Sequence, residues 1–214
     1  MILADYVEYK TFENLNQEGP TCSTHATLVA IAERVQQTTG LNLKFDYVKE
    51  YERMLKWREA WRKKDPRFSS YIPCLLEIGR TEGFKALTGQ TVLVRGSLQV
   101  NGRTKEEKID KMCRELQSNG PLLFGVRMYE GHSLTKVDGS GRIARPKEGS
   151  KQKENSHVMT LIGFDRVARL FRWQNSWGDR TAIRDVSFDD LLCTVNGEPW
   201  MKYVYSIRSA FIAS

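Results

Sequence analysis

Apolar residues recur at helical spacing through the first half of the chain. Between residues 22 and 35 they cover most of a helix circumference, which predicts a helix that is enclosed on nearly every side. Asp46 is a typical N-cap for a second helix, and Pro73 suits the first turn of a third. The run TKEE, residues 104–107, fits a capping box and predicts a fourth helix that ends at Gly120.

The pattern changes after Pro121. Short runs of β-branched and aromatic residues then alternate with turn residues: LLFGVRMY, HVMTLIGF, ARLFRWQN and MKYVYSI. Between the first two runs lies the polar stretch 138–155, which predicts a long loop. We therefore expect an α+β fold in a single domain, with a mainly helical lobe at about 10–120 and a strand-rich lobe at about 121–214.

Composition places the chain among ordinary globular proteins. It has 214 residues, of which 40% are hydrophobic and 28% are charged. No apolar run approaches the roughly 18 residues of a membrane span, so no membrane contact is expected. The opening residues carry no basic segment followed by an apolar run, so no export signal is expected either.

The net charge of +7 restricts the classes of partner. Residues 53–67 hold seven cations and two tryptophans, a mixture that can bind nucleic acid. However, four residues of this region recur at helical spacing, which favours core-facing aromatics beside a solvated basic face: Tyr47, Met54, Trp57 and Trp61. Nucleic acid is therefore a disfavoured partner, and the surplus charge favours an acidic protein.

The four cysteines are scattered without CxxC spacing, which disfavours a zinc site: Cys22, Cys74, Cys113 and Cys193. Cys74 and Cys113 stand among apolar residues, as buried free thiols do. We expect all four thiols to be reduced, which indicates an intracellular, cytoplasmic protein.

Cys22 stands at the predicted start of the first helix, just after Gly19 and Pro20. Two interpretations are open. The residue is either a small apolar filler or a nucleophile whose thiolate is favoured by the helix N-terminus. A nucleophilic cysteine needs a base to take its proton, so the histidines decide between the two.

The chain has three histidines. His25 follows Cys22 on the same predicted helix, where a core or cap position is expected. His132 lies in a predicted surface loop. His157 opens a predicted strand directly after the polar stretch, a position from which a side chain can be presented at the rim of a sheet.

The stretch FRWQNSWG, residues 171–178, supplies a partner for His157. The carbonyl oxygen of Asn175 can accept a hydrogen bond from one imidazole nitrogen, which fixes the tautomer and leaves the other nitrogen for a thiol. Trp177 can shield that bond from water. His157 follows Cys22 by 135 residues, and Asn175 follows His157 by 18.

With these segments, the chain resembles the papain-like cysteine peptidases. The resemblance is carried by NQEGPTC, SNGPLLFGVRMY, NSHVMTLIGFD and WQNSWGD. It implies that Cys22 is the nucleophile, that His157 is its acid and base, and that Asn175 orients His157. It also implies that Trp177 covers the histidine–asparagine contact, and that Gln17 joins the backbone N–H of Cys22 as an oxyanion donor.

The resemblance further implies a helical lobe packed against a β-barrel-like lobe, with the active-site cleft between them. The reaction implied is hydrolysis of peptide bonds in a polypeptide substrate through a thioester acyl-enzyme, with no metal or organic cofactor.

The chain departs from the family pattern at several positions. Ser23 stands where the family has tryptophan, Gly19 stands where it has cysteine, and five rather than six positions separate Gln17 from Cys22. The peptidase-like region begins within the first ten or so residues, so no inhibitory pro-segment is expected. Two alternatives stay open: a catalytically weak or inactive scaffold that binds protein, and a hydrolase or acyltransferase acting on isopeptide or ester bonds.

Overall fold

The computed structural model describes residues 3–9, 20–65, 70–176 and 183–213. Within these ranges the chain forms five helices: α1 (Cys22–Thr39), α2 (Tyr47–Trp61), α3 (Tyr71–Thr81), α4 (Lys105–Asn119) and α5 (Phe188–Leu191). It also forms eleven strands: β1 (Tyr6–Glu8), β2 (Phe84–Lys85), β3 (Thr91–Gln99), β4 (Leu122–Tyr129), β5 (Arg142–Ile143), β6 (Gln152–Asp165), β7 (Leu170–Gln174), β8 (Ile183–Ser187), β9 (Thr194–Val195), β10 (Glu198–Pro199) and β11 (Met201–Ile212).

The helices begin and end where their capping residues predict. The carboxylate of Asp46 accepts a hydrogen bond from the backbone N–H of Lys49 at 3.0 Å and so caps α2. The hydroxyl of Thr104 accepts from the N–H of Glu107 at 3.1 Å and caps α4. At the end of α1, Gly40 adopts φ +76°, a left-handed conformation that glycine adopts without strain. The four predicted helices are confirmed.

One part of the α2 prediction is wrong. Met54 is fully buried, but Trp61 is 42% exposed and therefore does not face the core. The Trp61 ring instead stacks on Trp57, with centroids 5.5 Å apart, and Lys64 places its ammonium 4.8 Å from the Trp61 ring centroid. Helical spacing identified the amphipathic helix, but the apolar stripe is narrower than the aromatic residues indicated.

The main sheet is mostly antiparallel and follows the order β2-β3-β11-β4-β6-β7-β8-β5, with β1 paired to β6. All four predicted strands are present. The strand β3 was not predicted, and it carries residues from the first part of the chain into the sheet beside β11. The α+β class is confirmed, whereas the division into two lobes near residue 120 stays a prediction.

The sheet is open. In the described ranges the two end strands of the path, β2 and β5, do not pair with each other, so the expected barrel-like lobe is not a closed barrel. The polar stretch 138–155 is not wholly a loop, since it contains β5 and the start of β6. Ile143 of β5 is fully buried and anchors this stretch in the core.

Two apolar clusters cover the two faces of the sheet. Along β4, Leu122 and Phe124 belong to the cluster that includes α4, whereas Leu123 belongs to the cluster that includes α1 and α3. This alternation is the period of two that a strand imposes on its side chains. Helix α1 packs against β4, β6 and β11. Its N-terminus is thereby brought to the middle of the sheet. None of the helices in the described ranges is both long and apolar enough to cross a membrane.

Candidate active site

Cys22 is the first residue of α1 and is partly buried. The backbone N–H groups of Ser23 and Val158, and its own, stabilise negative charge on its sulfur. Val158 directly follows His157 on β6. The packing of α1 against β6 therefore brings the thiol beside the backbone of the candidate base.

His157 and Asn175 form the central hydrogen bond of the site. Nε2 of His157 donates to Oδ1 of Asn175 at 2.7 Å, and both side chains are buried. Asn175 comes directly after β7, which pairs with β6, so the two strands hold the residues at fixed positions. Oδ1 also accepts from the N–H of Ser176 at 2.8 Å, which orients the amide.

This bond determines which histidine nitrogen can react. A carbonyl oxygen only accepts, so Nε2 of His157 carries the proton in this bond, and in the neutral ring Nδ1 is the nitrogen that can accept one. The arrangement requires a buried asparagine at a strand end, and Asn175 is fully buried.

Burial acts against charge at both reacting groups. Burial raises the pKa of the Cys22 thiol and lowers the pKa of His157, while the hydrogen bond to Asn175 partly opposes the change at His157. Each of these two pKa shifts describes the cost of charging one group while the other stays neutral. Transfer of a proton from sulfur to imidazole creates both charges together, and their Coulomb attraction in a poorly solvated site offsets part of the cost.

A second histidine lies close to this pair. His25 is buried, as predicted, and its ring centroid lies 4.8 Å from that of Tyr47. Burial, and secondly the charge of His157, lower the pKa of His25 to about 4. His25 is therefore neutral at physiological pH, and within the described residues its Nε2 has no hydrogen-bond partner.

The three remaining cysteines are buried, as predicted for Cys74 and Cys113, and none of the four cysteines is in a disulfide. Burial raises the pKa of Cys74 to about 11 and that of Cys113 to about 12. It also raises the pKa of Cys193. Cys22 is the one cysteine of the four whose residue is only partly buried.

Gln17 and Trp177 lie outside the described residues, so their expected roles stay predictions. No group of three or more His, Cys, Asp or Glu side chains is arranged to hold a metal ion in the described ranges.

Two tyrosines near the thiol were not identified from the sequence. Burial first, and the charge of Cys22 second, raise the pKa of Tyr203 on β11. The pKa of Tyr51 on α2 is raised first by burial, then by its charge interaction and hydrogen bond with Tyr71, and only then by the charge of Cys22. No local motif marks either residue, because each reaches Cys22 only through the packing of distant elements.

Known structures share this fold across nearly the whole chain. Xylellain, a cysteine protease from Xylella fastidiosa, matches with a TM-score of 0.67 at 16% identity over 97% of this chain and 87% of that one. Digestive procathepsin L 3 of Tenebrio molitor larval midgut matches with a TM-score of 0.62 at 10% identity over 96% and 70%. The clostridial cysteine protease Cwp84 matches with a TM-score of 0.64 at 10% identity over 97% and 59%.

Sequence comparison gives a shorter match. A peptidase C1-like protein of Acanthamoeba polyphaga mimivirus is 28% identical over 80 residues, which are 37% of this chain and only a quarter of that protein. No family model matches the chain. The structural matches extend over at least 96% of the chain at identities of 10–16%, so they establish the architecture. The chain thus has the fold of the papain-like cysteine proteases.

Proposed function

We propose that this protein is a cysteine peptidase that hydrolyses peptide bonds through a thioester on Cys22. The observation that carries the proposal is the buried 2.7 Å hydrogen bond between His157 and Asn175, one residue from the backbone that contacts Cys22. A thiol at a helix N-terminus beside an oriented imidazole supports nucleophilic catalysis.

In the acylation step, Nδ1 of His157 takes the proton of Cys22, and the sulfur attacks the carbonyl carbon of the scissile bond. The oxyanion that forms is stabilised by the backbone N–H of Cys22 and by Gln17, as the family resemblance implies. His157 then gives its proton to the leaving nitrogen, the C–N bond breaks, and a thioester remains on Cys22.

In the deacylation step, His157 takes a proton from water, and the resulting hydroxide attacks the thioester carbon. The C–S bond breaks, the carboxylic acid product leaves, and Cys22 recovers its proton from His157. Asn175 acts throughout by holding the ring, because rotation of the imidazole would remove Nδ1 from the sulfur.

Covalent labelling tests this proposal. A peptide carrying an epoxide or a Michael acceptor should label Cys22 faster than it labels a free thiol, and Cys22→Ala should remove the labelling. His157→Ala should slow it by about 10²-fold or more, since general-base assistance is lost. His132→Ala is the matched control and should label as the wild type does. Labelling at the rate of a free thiol that is indifferent to His157 would contradict the proposal.

One observation favours a second function, a protein-binding scaffold without catalysis. Burial disfavours both the Cys22 thiolate and the His157 imidazolium, as expected of an inert pair. A panel of peptide, isopeptide and ester substrates separates the two functions. Peptide turnover that is lost in Cys22→Ala would exclude the non-catalytic scaffold. Faster turnover of an isopeptide or an ester than of a peptide would indicate that the enzyme acts on that bond instead.

A further inference from the structure

Three neighbouring strands place a tyrosine, a glycine and a valine side by side. In the antiparallel pairs, Tyr203 of β11 lies opposite Gly125 of β4, and Gly125 lies opposite Val158 of β6. Directly opposite residues point to the same face of a sheet, about 5 Å apart. Val158 belongs to the cluster that includes α1, so this cross-strand row lies on the α1 face.

Gly125 makes room for the tyrosine ring. A Cβ atom added at Gly125 would overlap two ring carbons of Tyr203 and would lie 2.7 Å from its hydroxyl oxygen. The φ of Gly125 does not lie in the left-handed region, so space and not backbone conformation requires the glycine here. The Tyr203 ring therefore lies flat against the sheet, over the place that a β4 side chain would fill.

The row ends at the nucleophile. The N–H of Val158 reaches the sulfur of Cys22, and Tyr203 packs against the same apolar cluster as Cys22 does. Burial, and secondly the negative charge of Cys22, raise the pKa of the Tyr203 phenol. The Tyr205 ring lies 5.9 Å further along the strand, and the pKa of its phenol is raised by burial alone. Tyr203 is therefore the β11 tyrosine that lies near the thiol.

We propose that Tyr203 is a specificity-determining residue that limits the size of the substrate side chain beside Cys22 on the α1 face. The inference rests on the proposed peptidase function and names its substrate class: polypeptides with glycine, alanine or serine at the position before the cut whose side chain meets Tyr203. A large side chain there would have to displace a ring held between Gly125 and the α1 cluster. Polypeptides with leucine or phenylalanine at that position are excluded.

The first experiment needs no catalysis. Cys22 is alkylated with iodoacetamide and with a benzyl-substituted iodoacetamide, and peptide mapping confirms the site. Tyr203→Ala should raise the rate of the bulky reagent relative to the small one by about 10-fold, the discrimination typical of a filled apolar pocket. Tyr205→Ala, the matched control, should leave the ratio unchanged.

The second experiment uses a peptide library varied at the positions before the cut. In Tyr203→Ala, the ratio of kcat/KM for phenylalanine over alanine should rise by about 10-fold or more at one position. If Tyr203→Ala does not fold, as judged by circular dichroism, Tyr203→Leu replaces it in both experiments, because it keeps an apolar contact with the sheet while removing the ring.

The outcomes separate the two proposals. An alkylation ratio that Tyr203 does not change overturns the inference, whether or not the protein is a peptidase. A changed ratio without any peptide turnover supports Tyr203 as a steric limit and counts against the peptidase function. Turnover with unchanged preference supports the peptidase function and overturns the inference.

Discussion

The N-termini of α1 and α4 differ in where their polar groups are directed. At α4, Thr104 bonds the N–H of Glu107 and Glu107 bonds the N–H of Arg103 at 2.7 Å, so the helix start is satisfied locally. At α1 the side chain of the N-cap residue, Thr21, makes no cap bond, and N–H groups at the helix start are directed at the Cys22 sulfur. The next residues, Ser23 and Thr24, have buried hydroxyls without partners in the described ranges.

The difference indicates two kinds of helix start. The start of α4 stabilises its own helix, and its side chains are mostly exposed. The start of α1 is packed, and within the part of the chain that the structure describes its buried hydroxyls lack hydrogen-bond partners, as is typical of a segment shaped by chemistry and not by local stability. Substitutions at α1 should therefore act on reaction rate and acid stability, whereas those at α4 should act on folding free energy.

The largest effect is expected from Asn175→Ala. Without Oδ1, the hydrogen bond that fixes the tautomer of His157 is lost, so the labelling rate of Cys22 should fall on the order of 10²-fold. Asn119→Ala is the matched control, because Asn119 donates to Glu115 at the end of α4. It should leave labelling unchanged. Equal rates in the two variants would show that the hydrogen bond between His157 and Asn175, beside the start of α1, does not control the reaction of Cys22.

The next effect concerns acid stability near α1. Burial first, and the charge of His157 second, hold the pKa of His25 at about 4, below its unfolded value of 6.5, so folding favours neutral His25. This stability is fully present above pH 6.5 and is lost as the pH falls towards 4, by about 3 kcal/mol in all. His25→Phe should reduce the difference in unfolding free energy between pH 7 and pH 4.5, as measured by urea unfolding.

His132→Phe provides the comparison for that measurement. Burial lowers the pKa of His132 as well, but His132 is less buried than His25. Its replacement should therefore reduce the pH dependence of the unfolding free energy by less than His25→Phe does. If His25→Phe loses as much unfolding free energy at pH 4.5 as the wild type does, protonation of His25 is not the cause of the acid sensitivity.

The smallest effects come from removing one hydroxyl at each helix start. Thr104→Ala should cost about 1 kcal/mol of unfolding free energy, because a cap bond is lost. Ser23→Ala should be neutral or slightly stabilising, because a buried hydroxyl without a partner is replaced by a methyl group. Thermal unfolding measures both, and a cost at Ser23 as large as that at Thr104 would contradict the comparison.

Local sequence predicted the helices well, because caps and apolar periodicity act within a few residues. Asp46, Thr104 and Gly40 each mark a helix boundary. The strand β3 was missed because polar side chains occupy its solvent-facing positions, so the run lacks a continuous apolar signal. Trp61 was misplaced because spacing alone does not give the width of the buried stripe.

The histidine–asparagine pair could be located from residue types and spacing, since both residues flank strong strand patterns. Tyr203 could not, because its position beside Cys22 depends on the register of three strands. Gly125 did not identify Tyr203 either. A glycine in a strand indicates that another group approaches the backbone closely, but it does not indicate which residue that is.

The strand β11 pairs with β3 on one side and with β4 on the other, and both partners precede it by many residues. On a ribosome, the helices can form as they emerge, but the middle of the sheet stays open until residue 212 has been made. Such long-range pairings give a high contact order, which slows folding. The part of the sheet that carries Tyr203 is therefore assembled late, so the thiol of a nascent chain lacks the packing of β11 until synthesis is nearly complete.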